Sequence, residues 1–224
     1  MSFTPVDPNA KKFQSLRSSI IIVEGVIGVG KTTFGRSTAA FLDSVGLKAR
    51  FFPEFVNDVL LKQYIGDMGK YAYSFQLFML TKRLEIYKEA QRFAEAGGIA
   101  IVDRSLPGDM AFAKMQYTNG NVTEEEWKVY LSLAEQDSQP EPRAVIFLEC
   151  SPEKSLDRTL RRGNKAETSG YTLGYMKQLS EAYKAVIEQL KCSLVKVDWN
   201  EDRTVINSRL SNADIIECLE AIVE

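Results

Sequence analysis

The sequence predicts an α/β fold in which helices flank a doubly wound, parallel sheet of five strands. Five short runs of β-branched and apolar residues lack the alternation of half-exposed strands, which indicates that both faces of the sheet are covered. Helical patterns separate these runs, and this alternation favours parallel strands joined by right-handed crossovers. The strands are predicted at Ser19–Glu24, Ala49–Phe52, Ile99–Asp103, Ala144–Glu149 and Ser193–Asp198.

The helices are predicted from their end signals. A long helix over Tyr71–Ala96 is followed by two glycines, which commonly end a helix. Thr123 and Glu126 form a capping-box pattern that opens a helix to about residue 135. Ser151 and Pro152 are typical of the first positions of a helix, here to about residue 162. The remaining helices are predicted over Thr172–Lys191 and Asn212–Val223, and loops over Asn119–Val122, Gln136–Arg143 and Gly163–Gly170.

Length and composition indicate one soluble domain. The 224 residues are 45% hydrophobic and 26% charged, with a net charge of −2, so we expect no general nucleic-acid-binding surface. No apolar run approaches the roughly 18 residues of a membrane span. Three cysteines without metal-ligand spacing favour a reducing compartment, so we expect a cytoplasmic protein. Residues 1–18 are expected to form a flexible lead-in segment, and residues 19–224 a single domain.

A phosphate-binding motif follows the first predicted strand. Residues 25–32 match GxxxxGK[ST] between a strand and a helix, which is the context that the motif requires. Backbone N–H groups of such a loop surround phosphates. Lys31 would reach the β- and γ-phosphates of a nucleoside triphosphate, and Thr32 would bind Mg²⁺. The residues expected to hold the triphosphate are Gly25, Val26, Ile27, Gly28, Val29, Gly30, Lys31, Thr32 and Thr33.

Two acidic residues follow predicted strands at the edge where α/β proteins bind ligands. Asp103 could hold Mg²⁺ directly or through water, and the alternative is a surface ion pair. Glu54 is a candidate general base for an alcohol acceptor, in a chain without histidine. Its alternatives are a solvated loop residue or a helix N-terminal charge. Packing between Phe52 and Phe55 is expected to raise the pKa of Glu54 by desolvation.

Four cations lie within eight residues at positions 158–165. Arg158 and Arg162 share one helical face. We interpret this segment as a mobile basic flap that neutralises transition-state charge and excludes water. The alternative is a solvated, positively charged helix end.

Together these motifs resemble the deoxyribonucleoside kinases, over roughly residues 20–202. Glu54 after Pro53 resembles the catalytic glutamate of that family, and Asp103-Arg104-Ser105 is similar to its [ED]RS motif. Residues 71–76 resemble its W-x-F-x-F-Q segment, residues 156–167 its arginine-rich lid, and residues 198–202 the loop that encloses the adenine of ATP. The resemblance implies a P-loop kinase fold with a helical lid over about residues 158–170.

The resemblance also implies a role for each matching residue. Glu54 would take the 5′-hydroxyl proton, with Arg104 and Lys31 completing the catalytic set. Thr32 and Asp103 would serve Mg²⁺. ATP would further be held by Arg158, Arg162, Lys165, Glu201 and Asp202. The deoxynucleoside would contact Glu54, Tyr64, Gln76, Met79, Arg83, Arg104, Asp109, Phe112 and Glu167, with Tyr64 and Glu167 at the 3′-hydroxyl, Gln76 at the base edge and Phe112 as the candidate stacking residue.

The base preference is predicted from two of these residues. Arg83 follows Gln76 by two helical turns, so both share a face. With Asp109, Arg83 resembles the arginine–aspartate pair of deoxycytidine, deoxyguanosine and deoxyadenosine kinases. Asp109 would hold the Arg83 fork where the methyl group of thymine would sit. Purine deoxynucleosides or deoxycytidine are therefore expected to react better than thymidine, and the alternative is an ion pair that only packs the helix.

The sequence is thus interpreted as an ATP-dependent, homodimeric kinase for the 5′-hydroxyl of 2′-deoxynucleosides, acting in nucleotide salvage without nucleic-acid or membrane partners. One alternative is a thymidylate-kinase-like enzyme, whose phosphate acceptor needs no general base. Another is a catalytically silent family member that acts as a structural subunit.

Overall fold

A parallel sheet of five strands lies at the centre of the protein. The computed structural model describes residues 7–136, 139–203, 205–206 and 209–223. The strands are β1 Ser19–Glu24, β2 Ala49–Phe52, β3 Ile99–Asp103, β4 Ala144–Glu149 and β5 Ser193–Asp198. Their order is β2-β3-β1-β4-β5, and every pairing is parallel. The predicted α/β fold and all five predicted strands are confirmed.

Helices cover both faces of this sheet. They are α1 Pro8–Lys12, α2 Lys31–Ser44, α3 Asp58–Gly66, α4 Met68–Glu95, α5 Leu106–Thr118, α6 Glu124–Glu135, α7 Pro152–Arg162, α8 Lys165–Gly170, α9 Leu173–Ile187 and α10 Asn212–Val223. A 3₁₀ turn spans Gln14–Leu16, and a short hairpin joins β6 Val205–Ile206 to β7 Arg209–Leu210. On one face α4 packs Tyr87 and Ala90 against Ile22 and Val102. The other face is buried under α2, α9 and α10.

The strand register brings three chain segments to one edge of the sheet. Val23 in β1 lies opposite Asp103 in β3, and Phe52 in β2 lies opposite Val102 in β3. The loop after β1, the segment after β2 and the residues after β3 therefore leave the sheet side by side. This edge also lies where β1 separates β3 from β4, which is where doubly wound sheets bind ligands.

The expectation of a flexible segment over residues 1–18 is corrected for residues 7–18. Asp7 caps α1 by accepting a hydrogen bond from the Asn9 backbone N–H at 2.8 Å. Phe13 and Leu16 are fully buried in the main core, and the Phe13 ring lies 6.1 Å from that of Phe41. Apolar burial therefore holds this part of the chain on the domain. Residues 1–6 lie outside the described residues.

Three helical bounds differ from the prediction for local reasons. The long helix begins three residues early, at Met68, because the Asp67 carboxylate caps it. The helix predicted to reach residue 191 ends at Ile187, where the chain enters tight turns. The predicted loop Gly163–Gly170 contains α8. The Asn164 side chain caps this helix by accepting a hydrogen bond from the Ala166 N–H at 3.0 Å.

Two further helices, α3 and α5, were not predicted, and both have clear caps. The Asn57 side chain accepts hydrogen bonds from the N–H groups of Val59 and Leu60 at the start of α3. Ser105 caps α5 by accepting from the Gly108 N–H at 3.2 Å. Asn119–Val122 contains no helix or strand, as predicted, and neither do the described residues of 136–143, of which 137 and 138 lie outside the description. No helix in the described ranges combines the length and apolar character that crossing a membrane requires.

Candidate active site

A cavity of about 130 Å³ lies at this edge of the sheet. The loop after β1 and helices α3, α4, α5, α7 and α8 all contribute to its wall. The predicted site residues that line it are Ile27, Gly28, Lys31, Thr32, Glu54, Tyr64, Gln76, Met79, Arg83, Asp103, Arg104, Asp109, Phe112, Arg162 and Glu167. The cavity therefore brings together side chains that are spread over 141 positions of the sequence, from residue 27 to residue 167.

The phosphate-binding motif forms a tight loop between β1 and α2. Gly28 has a φ angle of 74°, and a Cβ atom there would lie 2.3 Å from the Thr159 hydroxyl, so only glycine fits against α7. Lys31 donates from Nζ to the carbonyl oxygens of Gly25 and Val26 at 3.0 and 2.8 Å. Burial, together with the positive charge of Arg104, lowers the pKa of Lys31 to about 8. An anion bound in the loop would stabilise the charged ammonium group.

Glu54 is held between two arginines. Arg83 donates from Nη2 to Oε1 at 2.8 Å, and Arg104 donates from Nε to Oε2 at 3.0 Å. Burial of the carboxyl group opposes ionisation, but the charges of Arg104, Arg83 and Lys31 outweigh it and lower the pKa of Glu54 to about 2. Glu54 is therefore ionised at neutral pH, with each oxygen facing a cation.

The expected increase in the pKa of Glu54 is therefore wrong. Phe55 is 49% exposed and packs toward Phe78, with ring centroids 6.2 Å apart. Phe52 is buried, but its ring packs against Phe93 at 5.7 Å. The two rings therefore do not enclose the Glu54 carboxylate between them. The neighbouring arginines keep this carboxylate ionised.

Arg104 is fixed by contacts on several sides. Its backbone has a φ angle of 70°, which is unusual for a residue with a side chain, and its N–H donates to the Val23 carbonyl. The guanidinium donates from Nη1 to the Gly25 carbonyl at 3.0 Å and to the Tyr183 hydroxyl. It also lies 4.9 Å from the centre of the Phe112 ring. A strained backbone that is held this firmly is typical of functional sites.

Thr32 and Asp103 fit a magnesium ion. The Thr32 hydroxyl donates to Asp103 Oδ2 at 2.9 Å. Asp103 Oδ1 is buried and has no hydrogen-bond partner among the described residues. Burial raises the pKa of Asp103, and a cation beside the free oxygen would favour its ionised form. Because Mg²⁺ is commonly bound through one or two carboxylates and substrate phosphates, this pair suffices without a larger cluster.

The predicted arginine–aspartate pair forms at the far wall of the cavity. Arg83 donates from Nε to Asp109 Oδ1 at 3.0 Å, and both side chains are buried. Since Nη2 of the same guanidinium reaches Glu54, Arg83 links Asp109 to the candidate catalytic carboxylate. Met79 and Gln76 lie nearby on α4 and also line the cavity.

Aromatic side chains form another wall. The Tyr64 ring stacks on Phe75 with centroids 4.6 Å apart. Its hydroxyl lies 3.0 Å from the Tyr175 hydroxyl and accepts a hydrogen bond from Gln116 Nε2 at 2.7 Å. Phe112 packs edge-on against Tyr183 at 5.9 Å. This wall offers flat apolar surface with a few hydroxyl groups, which suits a planar ring that carries polar substituents.

The predicted lid residues divide into two sets. Arg162 donates from Nη2 to both oxygens of Glu167, at 2.7 and 2.6 Å, and both residues line the cavity. Arg158 instead donates to the carbonyl oxygens of Val29 and Trp199 and to the Asp202 carboxylate. Arg158 therefore joins the phosphate loop to the segment at residues 199–202.

The structure does not bring every predicted residue to the cavity. Lys165 is exposed at the start of α8, and Glu201 and Asp202 lie on the loop after β5, outside the cavity wall. Gly25, Val26, Val29, Gly30 and Thr33 belong to the phosphate loop and the first turn of α2, but do not line the cavity.

Several residues of the site were not predicted. Tyr175 on α9 and Tyr171 just before this helix line the cavity. Val56 after β2 and Leu61 on α3 also line it. The four-residue spacing of the two tyrosines, directly after the basic segment, was an available signal.

Glu24 was also missed. It is fully buried at the end of β1 and accepts from the Ser105 N–H and hydroxyl at 2.6 and 2.5 Å. A Cβ atom on Gly108 would lie 2.2 Å from Glu24 Oε1. This contact leaves no room for a larger side chain at position 108.

Comparisons with known proteins agree with this geometry. A family model described as deoxynucleoside kinase matches residues 21–224. A deoxyadenosine kinase of Dictyostelium discoideum is 29% identical over 192 residues, which cover 84% of this chain and 75% of the relative. A deoxyadenosine/deoxycytidine kinase of Bacillus subtilis (strain 168) is 29% identical over 213 residues, which cover 92% and 94% of the two chains.

A similar solved structure is that of deoxyadenosine kinase from M. mycoides with bound dATP. It aligns with a TM-score of 0.67 and 26% sequence identity, over 82% of this chain and 92% of that one.

Proposed function

Since this chain belongs to the deoxynucleoside kinase family, we propose that it transfers the γ-phosphoryl group of ATP to the 5′-hydroxyl of a 2′-deoxynucleoside. The products would be ADP and the deoxynucleoside 5′-monophosphate. One observation carries the proposal: an ionised carboxylate, Glu54, lies between two arginines and faces a cavity beside a phosphate-binding loop. A hydroxyl acceptor benefits from such a group, whereas a phosphate acceptor does not.

The donor would bind at the phosphate loop. Loop N–H groups and the N-terminus of α2 would hold the phosphates, and Lys31 would exchange its two carbonyl contacts for phosphate oxygens. Thr32 and Asp103 would hold Mg²⁺, which when bound neutralises phosphate charge. The residues proposed to contact ATP beyond this loop are Arg158, Arg162, Lys165, Glu201 and Asp202.

The acceptor would bind between Glu54 and the aromatic wall. Glu54 would accept the hydrogen bond of the 5′-hydroxyl and take its proton as the bond to phosphorus forms. A pKa near 2 makes Glu54 a weak base in the free enzyme. In a loose transition state the hydroxyl keeps its proton until its bond to phosphorus is well advanced, and it is then acidic enough for a weak base. We therefore assign Glu54 two contributions, holding the hydroxyl in line and taking its proton late in the transfer. Arg104 would stay beside the 5′-oxygen of the acceptor.

The base is proposed to meet Gln76, Met79, Arg83 and Phe112. The paired Arg83 and Asp109 are both buried, so moving them to admit the methyl group of thymine would break a buried ion pair. This supports a preference for purine deoxynucleosides or deoxycytidine over thymidine. The sugar 3′-hydroxyl is proposed to lie between Tyr64 and Glu167, both of which line the cavity.

We further propose that the enzyme acts as a homodimer in cytoplasmic nucleotide salvage. Val129 and Leu133 on α6 are 46% and 39% exposed. Leu77 and Leu84 of α4 line an open groove together with Leu133. An apolar surface of this kind on two neighbouring helices suits a symmetric contact between two copies.

One panel of assays tests the proposed activity. Deoxyadenosine, deoxyguanosine, deoxycytidine, thymidine and thymidylate would each be incubated with ATP, Mg²⁺ and the purified protein, and kcat/KM measured. We expect phosphorylation of the nucleosides, with thymidine the poorest of them. Phosphorylation of thymidylate alone would support a monophosphate kinase, and absence of any turnover would support a silent subunit.

A further inference from the structure

Tyr130 lies behind the base-reading pair rather than in the cavity. It is buried on α6, and its hydroxyl donates to Asp109 Oδ2 at 2.6 Å. Its ring stacks on Trp127, with centroids 5.5 Å apart and planes 9° from parallel. Tyr130 is not part of the cavity wall, so any effect on the substrate must pass through Asp109.

A continuous chain of hydrogen bonds leads from this tyrosine to the candidate catalytic carboxylate. Asp109 uses Oδ2 for Tyr130 and Oδ1 for Arg83 Nε, at 3.0 Å. Arg83 then donates from Nη2 to Glu54 Oε1 at 2.8 Å. Asp109 and Glu54 are therefore bound to neighbouring nitrogens of one guanidinium, Nε and Nη2.

Because both carboxylates bind one guanidinium, the orientation of Asp109 matters for Glu54. A carboxylate and the Nε–Nη2 edge of an arginine can pair through two parallel hydrogen bonds. Such pairing would bring the second Asp109 oxygen to Nη2, where it would compete with Glu54 and rotate the guanidinium. With Oδ2 bonded to Tyr130, Asp109 meets Arg83 through Oδ1, and Nη2 donates to Glu54.

We propose that Tyr130 is a positioning residue that sets base discrimination and the alignment of Glu54 by holding Asp109 in one-oxygen contact with Arg83. The inference rests on the proposed deoxynucleoside kinase activity. Without the hydroxyl, the buried Asp109 loses a donor and turns both oxygens toward Arg83, since an unpaired buried acceptor is costly. The guanidinium then tilts away from Glu54 and from the base.

The test is Tyr130→Phe, which keeps the ring and removes the hydroxyl. Tyr117→Phe is the matched control, because the Tyr117 ring also stacks on Trp127, at 5.5 Å, and does not line the cavity. For each protein, kcat and KM would be measured with the best substrate of the wild type and with thymidine, or with deoxycytidine if thymidine proves to be the best. Circular dichroism and Tm would report folding.

We expect Tyr130→Phe to lower kcat/KM for the best substrate by about tenfold, the scale of one hydrogen bond to a charged group. The loss of kcat/KM with the second substrate should be several-fold smaller, so the ratio of the two kcat/KM values should decrease. Tyr117→Phe should leave this ratio unchanged.

Equal loss with both substrates, or no loss, in a folded Tyr130→Phe protein would overturn the inference and leave the kinase proposal intact. A wild-type protein that phosphorylates no deoxynucleoside would overturn both. If Tyr130→Phe does not fold, the Nε–H resonance of Arg83 in wild-type protein decides. Protection from exchange with solvent is expected for the chain of hydrogen bonds, and fast exchange would contradict it.

Discussion

At the scale of single residues, Glu54 owes its charge to its neighbours. A carboxyl group buried alone would have a raised pKa, but two arginines and a lysine lower it. The adjacency of Glu54, Arg104 and the phosphate loop could be predicted, because all three follow parallel strands. The contact with Arg83 could not, because it depends on where the middle of α4 crosses the end of the sheet.

The lowered pKa of Glu54 predicts how stability changes with pH. The folded-state pKa of about 2 lies below the ordinary 4.5, so the contribution of Glu54 is present well above pH 4.5 and is lost as the pH falls toward 2. We expect the difference in unfolding free energy between wild type and Glu54→Gln to shrink by about 1 kcal/mol between pH 7 and pH 4. Urea titrations at several pH values would measure it.

Glu201→Gln is a suitable control, because it removes an exposed carboxylate on the loop after β5. The difference in unfolding free energy between Glu201→Gln and wild type should change little over the same pH range. A difference for Glu54→Gln that stays constant, or that grows as the pH falls, would mean that the arginines do not hold Glu54 ionised.

At the scale of elements, helix starts that depend on capping side chains could be predicted from the sequence. The capping box at Thr123 and the cap at Ser151 are both present. Helix α5 was not predicted, although Ser105 and Pro107 stand at its first positions. Here the glycine makes room for the buried Glu24 carboxylate, and the proline occupies the first turn of a helix.

The second prediction concerns the pair of helices α7 and α8. Arg162 on α7 donates hydrogen bonds to Glu167 on α8, and both residues line the cavity. We expect Arg162→Ala to reduce kcat by about tenfold or more while the nucleoside Kd changes little, because its charge would act on phosphates in the transition state. Single-turnover kinetics and equilibrium binding would separate the two effects.

Arg161→Ala provides the matched control for this prediction. Arg161 precedes Arg162 in the same helix and is exposed, pairing with Asp157 one turn away and with Asp202 at 3.5 Å. Unlike Arg162, it does not line the cavity. Its replacement should leave both kcat and the nucleoside Kd near the wild-type values. An increase in nucleoside KM alone for Arg162→Ala, with kcat unchanged, would contradict a role on the phosphates.

At the scale of the whole molecule, the fold was predictable because the central strands β1, β3 and β4 are apolar over most of their length and each connection between strands of the central sheet contains a helix. Such strands need cover on both faces, and a doubly wound sheet supplies it. The full wall of the cavity was less predictable. Tyr171 and Tyr175 reach it only because α9 packs against α5 and α7, which depends on packing between elements distant in the sequence.

The proposed homodimer gives the third prediction. The protein should sediment with about twice the chain mass of 25.2 kDa, and the double variant Val129→Asp with Leu133→Asp should sediment as a monomer, because two charges would be buried without partners. Val59→Asp, which alters an exposed apolar residue on α3, should remain dimeric. A wild-type protein that sediments as a monomer at micromolar concentration would contradict the proposed contact.

The most direct test of the proposed mechanism is the turnover of Glu54→Gln with its best deoxynucleoside, ATP and Mg²⁺. Glutamine keeps the size of the side chain but cannot take a proton, so we expect nucleoside binding to persist while the single-turnover rate falls at least about a hundredfold, in the usual range for a general base. A rate close to wild type, with binding intact, would remove Glu54 from the chemistry and contradict the assignment of this cavity as the site of phosphoryl transfer to a hydroxyl group.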